Sequence, residues 1–184
     1  MNKKNNLLLH SCCAPCLTAV FETLLPENNV SIFWYNPNIE PETEHQKRLD
    51  TLREYLAKAK CKTNLVYDYD YKAENKKWRR YVSGLESEPE GGLRCQKCFE
   101  FRITELIEKA GDNYSATTLT VSPYKNNEMI NEIGKRIATE QSGKFLFSDF
   151  KKNGGYRRSI ELSKKFGLYR QNYCGCLYSK RSII

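Results

Sequence analysis

The sequence has no apolar stretch near the ~20 residues that a membrane-spanning helix needs. Its first apolar run, Leu7-Leu8-Leu9, follows Met1-Asn2-Lys3-Lys4-Asn5-Asn6. Charge followed by three leucines is too short for a secretory signal. Histidine is scarce, with only His10 and His45. Neither stands at finger spacing from a cysteine pair, which removes the mixed cysteine–histidine zinc pattern. There is no internal repeat and no low-complexity linker. Gly91-Gly92 and Gly154-Gly155 fit neither a P-loop nor a dinucleotide fingerprint and read as turns. These absences leave a cytoplasmic, reducing setting as the expectation. In such a setting, clustered cysteines more often bind metal or do redox work than form structural disulfides.

Positive charge and cysteine are what the sequence has in excess. The 184 residues carry 30 Lys and Arg against 22 Asp and Glu, a net charge of +8, and the pI is about 9.0. This length is that of one domain. With 40% hydrophobic and 12% aromatic residues, the chain can build a real core. The charge favours an anionic partner without naming it. The eight cysteines are roughly 4% of the chain, below the ~8–10% of a disulfide scaffold.

The pattern alternates strands and helices. Residues 7–11 read as a buried strand, and Pro15 suits the first turn of a helix reaching about residue 25. Residues 30–35 read as a second strand, stopped by Asn36-Pro37-Asn38. Thr43 and Gln46 have capping-box spacing. Leu49, Leu52, Leu56 and Ala59 then recur at helical period, predicting a helix over about 43–60. Further strands are expected at 64–69, 115–121 and 145–147, and further helices at 73–83, 95–110 and 127–141. The tail from Tyr156 is expected to be partly helical. The order implies a single α/β domain, a parallel sheet with flanking helices. In such sheets, sites lie at the carboxyl ends of the strands. The first strand ends directly at Ser11-Cys12-Cys13.

Seven cysteines fall in three groups: Cys12-Cys13-Ala14-Pro15-Cys16, Cys95-Gln96-Lys97-Cys98 and Cys174-Gly175-Cys176. Cys61 stands alone and reads as a bystander. Two CxxC units, Cys13/Cys16 and Cys95/Cys98, have the spacing that lets two thiolates meet one metal. A tetrahedral zinc site and an iron–sulfur cluster both fit. Adjacent Cys12-Cys13 tilts the balance to a cluster, because neighbouring thiolates can reach different irons. Cys174 and Cys176 are either a redox-active dithiol, whose very small ring would make a labile disulfide, or further metal ligands or unreactive thiols. Gly175 supplies the backbone freedom such a turn needs.

Three segments mix cations with aromatics: Lys76–Tyr81, Lys151–Arg158 and Tyr169–Tyr173. Such a mixture suits a phosphate backbone with unstacked bases. The alternative is a solvated face with aromatics anchored in the core, which is the favoured reading for residues 76–81. His10 precedes the cysteines and suits support of a metal site from behind, while His45 reads as an ordinary helix residue. Asp149 follows a short strand, and a carboxylic acid there has the chemistry to protonate a leaving oxygen. A cap or a salt bridge is the ordinary alternative.

The stretches at 7–16 (LLLHSCCAPC), 34–39 (WYNPNI), 91–99 (GGLRCQKCF), 122–126 (SPYKN), 149–152 (DFKK) and 169–176 (YRQNYCGC) together resemble the cobalamin-independent, iron–sulfur epoxyqueuosine reductases. The resemblance spans nearly the whole chain, in order. It implies an adenine-nucleotide α-hydrolase-like, Rossmann-like fold, with the segment about 156–184 packing over the site. The implied activity is the last step of queuosine biosynthesis: reductive removal of the epoxide oxygen of epoxyqueuosine at the tRNA wobble position. Cys12, Cys13, Cys95 and Cys98 match the ligands of a [4Fe-4S] cluster. Cys174 and Cys176 match a pair that forms a redox-active disulfide. Cys16 is left as a candidate ligand to a second metal, an additional iron. The implied partners are epoxyqueuosine-containing tRNA and an external electron donor. Where ATP pyrophosphatases of related fold carry Ser-Gly-Gly-x-Asp-Ser, this chain has Ser11-Cys12-Cys13-Ala14-Pro15-Cys16, which argues against nucleotide activation. The competing reading is a non-catalytic, zinc-stabilised RNA-binding module, and a third is a general disulfide oxidoreductase.

Overall fold

In the computed structural model, which describes residues 4–182, Leu7-Leu8-Leu9 lies in the middle strand of a sheet. The strands are β1 (Asn5–His10), β2 (Asn28–Phe33), β3 (Leu65–Val66), β4 (Tyr114–Thr117) and β5 (Lys144–Phe145). Their order is β3-β2-β1-β4-β5, and every pair is parallel. A parallel strand covered on both faces reads as a continuous apolar run rather than an alternation. Leu7 and Leu9 pack with Phe21, Ile32, Trp34 and Leu49 on one face, and Leu8 packs with Phe33 and Leu106 on the other. This is the period of two that a strand imposes.

The helices are α1 (Ala14–Leu24), α2 (Glu42–Lys58), α3 (Tyr71–Tyr81), α4 (Leu93–Ala110), α5 (Asn127–Glu140) and α6 (Gly155–Lys165). α1 packs against α6, and α4 against α5. The chain is therefore one α/β domain of Rossmann-like type. Among the described residues, no helix is long and apolar enough to cross a membrane. Pro15 occupies the first turn of α1, as expected. Asp70 and Asn126 cap α3 and α5 by accepting from Ala73 N–H and Met129 N–H.

Four local expectations differ. The third strand is Leu65–Val66 rather than 64–69. The Thr43/Gln46 capping box does not form, because α2 begins earlier, with Pro41 at its cap. Gln46 instead donates to Asp50. The fourth strand stops at Thr117 rather than Val121. Thr117 Oγ1 accepts the Leu119 N–H at 3.2 Å and turns residues 118–121 into a 3-10 helix. The fifth strand is Lys144–Phe145, followed by one further sheet bond from Leu146 N–H to Ser115 O.

Direction reverses in the sheet beside β1. The chain moves one way to β2 and β3, and crosses to the other side for β4 and β5. A crevice forms outside the carboxyl ends of two strands at such a switch point. The ends concerned are His10 and Thr117, which are Cα partners in the ladder.

Leu9 is 0% exposed, so Leu9→Ala is expected to lower unfolding stability by about 2–5 kcal/mol in urea titration. His45 gives a pH-dependent prediction. It is buried with its Nε2 accepting from Trp34 Nε1–H at 2.9 Å, and Tyr69 Oη is also 2.9 Å away. Burial first, and Arg48 second, lower its pKa to about 4. The unfolded chain therefore takes up this proton near pH 6.5 and the folded chain only near pH 4. The contribution is complete above pH 6.5 and is lost as the pH falls towards 4. Between pH 7 and 5, wild type is expected to lose on the order of 1–2 kcal/mol more stability than His45→Gln, measured by urea midpoints.

Candidate active site

The first cysteine group turns directly from β1 into α1. Cys12 N–H donates to Thr118 Oγ1 at 3.1 Å, and the Thr118 hydroxyl lies 3.4 Å from Cys12 Sγ. Cys13 caps α1, its Sγ accepting the Cys16 N–H at 3.4 Å. The sulfurs of Cys12, Cys13 and Cys16 all lie within 4.8 Å of one another. Three thiols so close cannot ionise independently. Hydrogen bonds from Cys13 and Cys16, with help from Lys125, hold Cys12 well below the usual thiol range. Burial, and then the neighbouring Cys12, push Cys13 up to about 12, and Cys16 is raised by its two neighbours.

The second group opens α4. Cys95 and Cys98 are three apart, the spacing that shares a helix face. Gly91 N–H donates to Cys95 Sγ at 3.2 Å. Burial raises both thiols, and Arg102 works against the rise at Cys98.

The third group is held from a distance. Arg48, 2% exposed on α2, ion-pairs with Glu44 at 2.7 Å. It also donates to the carbonyls of Cys174 at 3.0 Å and Tyr173 at 3.3 Å. Glu40 N–H donates to Gly175 O at 2.8 Å, and Tyr173 Oη–H donates to Glu40 O at 2.8 Å. Gly175 has φ +115°, a region favouring glycine. A Cβ there would meet Ile39 Cγ1 at 2.8 Å. Cys174 Sγ is 3.4 Å from Ser179 Oγ. Cys176 is buried, which pushes its thiol up to about 12. Both are free thiols.

These groups meet in one cavity of about 690 Å³. Cys12, Cys16, Cys95, Cys98, Cys174 and Cys176 line it, and buried Cys13 lies against Cys12 and Cys16. From the C-terminal segment, Arg170, Gln171, Asn172 and Tyr173 line the cavity. Asp149 does not line the cavity and faces Lys151 at 3.9 Å and Lys152 at 3.7 Å. Cys61 packs beside the core, away from the cavity. His10 is behind the wall, with Thr117 Oγ1 2.8 Å from Nδ1.

The basic segments divide. Trp78 is fully buried and reaches the cavity, while Arg79 binds Glu40 outside. Arg157 and Arg158 are ion-paired with Glu161 and Glu22. The wall also carries cations that sequence reasoning did not single out: Arg48, Arg94, Arg102 and Lys125. Arg94 and Arg102 stand four residues before and after Cys98, a helical spacing that signals a shared face. Burial opposes the Lys125 charge, but Cys12, Cys16 and Cys174 keep its pKa raised.

Comparison with known proteins adds independent findings. The family model described as epoxyqueuosine reductase QueH matches residues 7–182. Curated relatives of that name include a protein of Streptococcus pyogenes serotype M1, 39% identical over 180 residues, covering 96% of this chain and 71% of the relative. Another, from Staphylococcus epidermidis, is 40% identical over 184 residues, covering 96% and 77%. A third, from Thermotoga maritima, is 40% identical over 179 residues, covering 94% and 89%.

Gly175→Ala forces a side chain into a positive-φ position against Ile39. It is expected to cost about 1–3 kcal/mol of local order and to speed alkylation of Cys174 and Cys176. Timed thiol labelling with mass spectrometry checks this, and unchanged rates would refute the tight turn.

Proposed function

The chain belongs to the epoxyqueuosine reductase QueH family, and we propose that it converts epoxyqueuosine in tRNA to queuosine. The observation that carries this reading is the meeting of six cysteines, from three distant segments, in one cavity at the sheet's switch point. The reaction takes up two electrons and two protons. Both carbon–oxygen bonds of the epoxide break, a carbon–carbon double bond forms, and the oxygen leaves as water.

Cys12, Cys13, Cys95 and Cys98 are the residues that would hold a [4Fe-4S] cluster. The donor set suits it: all four are thiols, three of them line one cavity whose wall also carries buried cations, and Cys13 lies against Cys12. When bound, such a cluster supplies single electrons and an iron able to act as a Lewis acid towards oxygen. The close packing of Cys12, Cys13 and Cys16 supports Cys16 as a ligand to an additional iron.

Cys174 and Cys176 supply the balancing pair. On closing a disulfide they release two electrons and two protons, which matches the stoichiometry of the deoxygenation. Burial keeps the Cys176 proton on sulfur until then. An external electron donor reopens the pair. Lys125, held as an ammonium beside the thiols, is placed to donate a hydrogen bond to the departing oxygen. Asp149 is a weaker choice for that proton, because it stands off the wall. At the cavity mouth Tyr124 is 79% exposed, which offers a stacking face to an unstacked base. The positive surface suits the tRNA backbone. A zinc-stabilised module without catalysis leaves the third pair of thiols on this wall without a role.

Anaerobically purified protein is expected to be brown with about four irons per chain, and to convert epoxyqueuosine to queuosine in tRNA nucleosides read by mass spectrometry. Cys174→Ser and Cys176→Ser are each expected to lower multiple-turnover rates roughly tenfold or more while keeping the iron. Persistence of epoxyqueuosine with a fully loaded wild type would refute the activity.

A further inference from the structure

Arg102 follows Cys98 by one turn of α4 and lines the cavity. It is 3% exposed, so its guanidinium is withdrawn from water. Its partners are neutral. Nη2 donates to Asn36 Oδ1 at 2.6 Å and lies 3.2 Å from His10 Nε2. An imidazole and an amide oxygen supply no negative charge to it. Arg102 Nε has no hydrogen-bond partner. Among the described residues, no carboxylate comes within 4.0 Å of this guanidinium. Arg48 differs, because it is equally buried on the same wall but has Glu44.

A buried charge without a counter-charge is strongly disfavoured. Cys98 stands four residues before Arg102 on the same helix and lines the same cavity. The guanidinium is also fixed to the other ligand loop, since Asn36 Nδ2 donates to Ser11 O at 2.9 Å, next to Cys12. Its position is thus set relative to both cysteine-bearing segments.

We infer that Arg102 is the fixed counter-charge of the anionic iron–sulfur site and raises its reduction potential. The inference rests on the reading that Cys12, Cys13, Cys95 and Cys98 hold a cluster. A thiolate-ligated cluster becomes more negative on reduction. A cation held nearby in a medium of low dielectric therefore favours the reduced form. Arg102 acts through its field and touches no substrate.

The test is a dithionite titration of anaerobic protein, following the reduced-cluster signal by electron paramagnetic resonance. Arg102→Met, and Arg102→Gln, which retains an amide for Asn36, remove the charge. Arg102→Lys keeps it. The expected result is about a tenfold fall in the reduced-to-oxidised ratio at fixed ambient potential in the neutral variants, which for one electron is about 59 mV. Arg102→Lys is expected to stay near wild type. Loss of iron from both neutral variants but not from Arg102→Lys also supports the counter-charge. Equal potentials in all four proteins, a lysine variant that behaves like methionine, or iron loss from all three variants overturns it. Wild type lacking about four irons overturns the cluster reading itself, before any variant is compared.

Discussion

From the end of β1, Cys12 N–H reaches across 3.1 Å to Thr118 Oγ1 at the end of β4. The two strands are parallel neighbours, so their chains leave the sheet side by side and diverge. That divergence makes the crevice, and the hydrogen bond fixes its narrow end. α1 then starts immediately, capped by Cys13, with Cys16 on its first turn. The Thr117 side chain bends the other path into a 3-10 turn, which leads towards Lys125 on the wall. The remaining cysteines are brought to this fixed point by α4 and by the C-terminal segment.

The parts of the fold that were legible in the sequence are those set by local pattern. The three leucines of β1, the periodic leucines of α2 and Pro15 of α1 each act within a few residues. The ends of elements were less legible, because side-chain hydrogen bonds decide them. Thr117 stops β4 although residues 115–121 are largely β-branched, and α2 starts before its apparent capping box. At the site, spacing identified the cysteine groups and left open how they meet. Arg48 grips the carbonyl of a residue 126 positions away, and no local window contains that relation. Asp149 is another case: it follows a strand, as its place in the sequence implies, but it does not line the cavity and lies 3.9 and 3.7 Å from the ammonium groups of Lys151 and Lys152.

The net charge of +8 conceals two kinds of cation. Arg157 and Arg158 are on the outside with exposed carboxylate partners, where ion pairs contribute little to stability, while half-exposed Arg79 pairs with buried Glu40. Arg102 and Arg94 are buried on the cavity wall; Arg94 binds the carbonyls of Leu85, Glu86 and Glu88 and leaves Nη2 without a partner. The surface cations suit long-range attraction of a polyanion. The buried ones shape the electrostatics of the thiols, and do so with little screening by salt.

Cys13 Sγ is the atom that receives the first-turn N–H of α1, and α1 in turn packs on α6. In the proposed function Cys13 is also a cluster ligand, and cofactor insertion and helix initiation would then converge on a single sulfur. Oxidation of that sulfur would then fray a helix as well as release iron. Under that proposal, assembly of the cofactor and maturation of the fold would become one cooperative event, with damage to either registered by both.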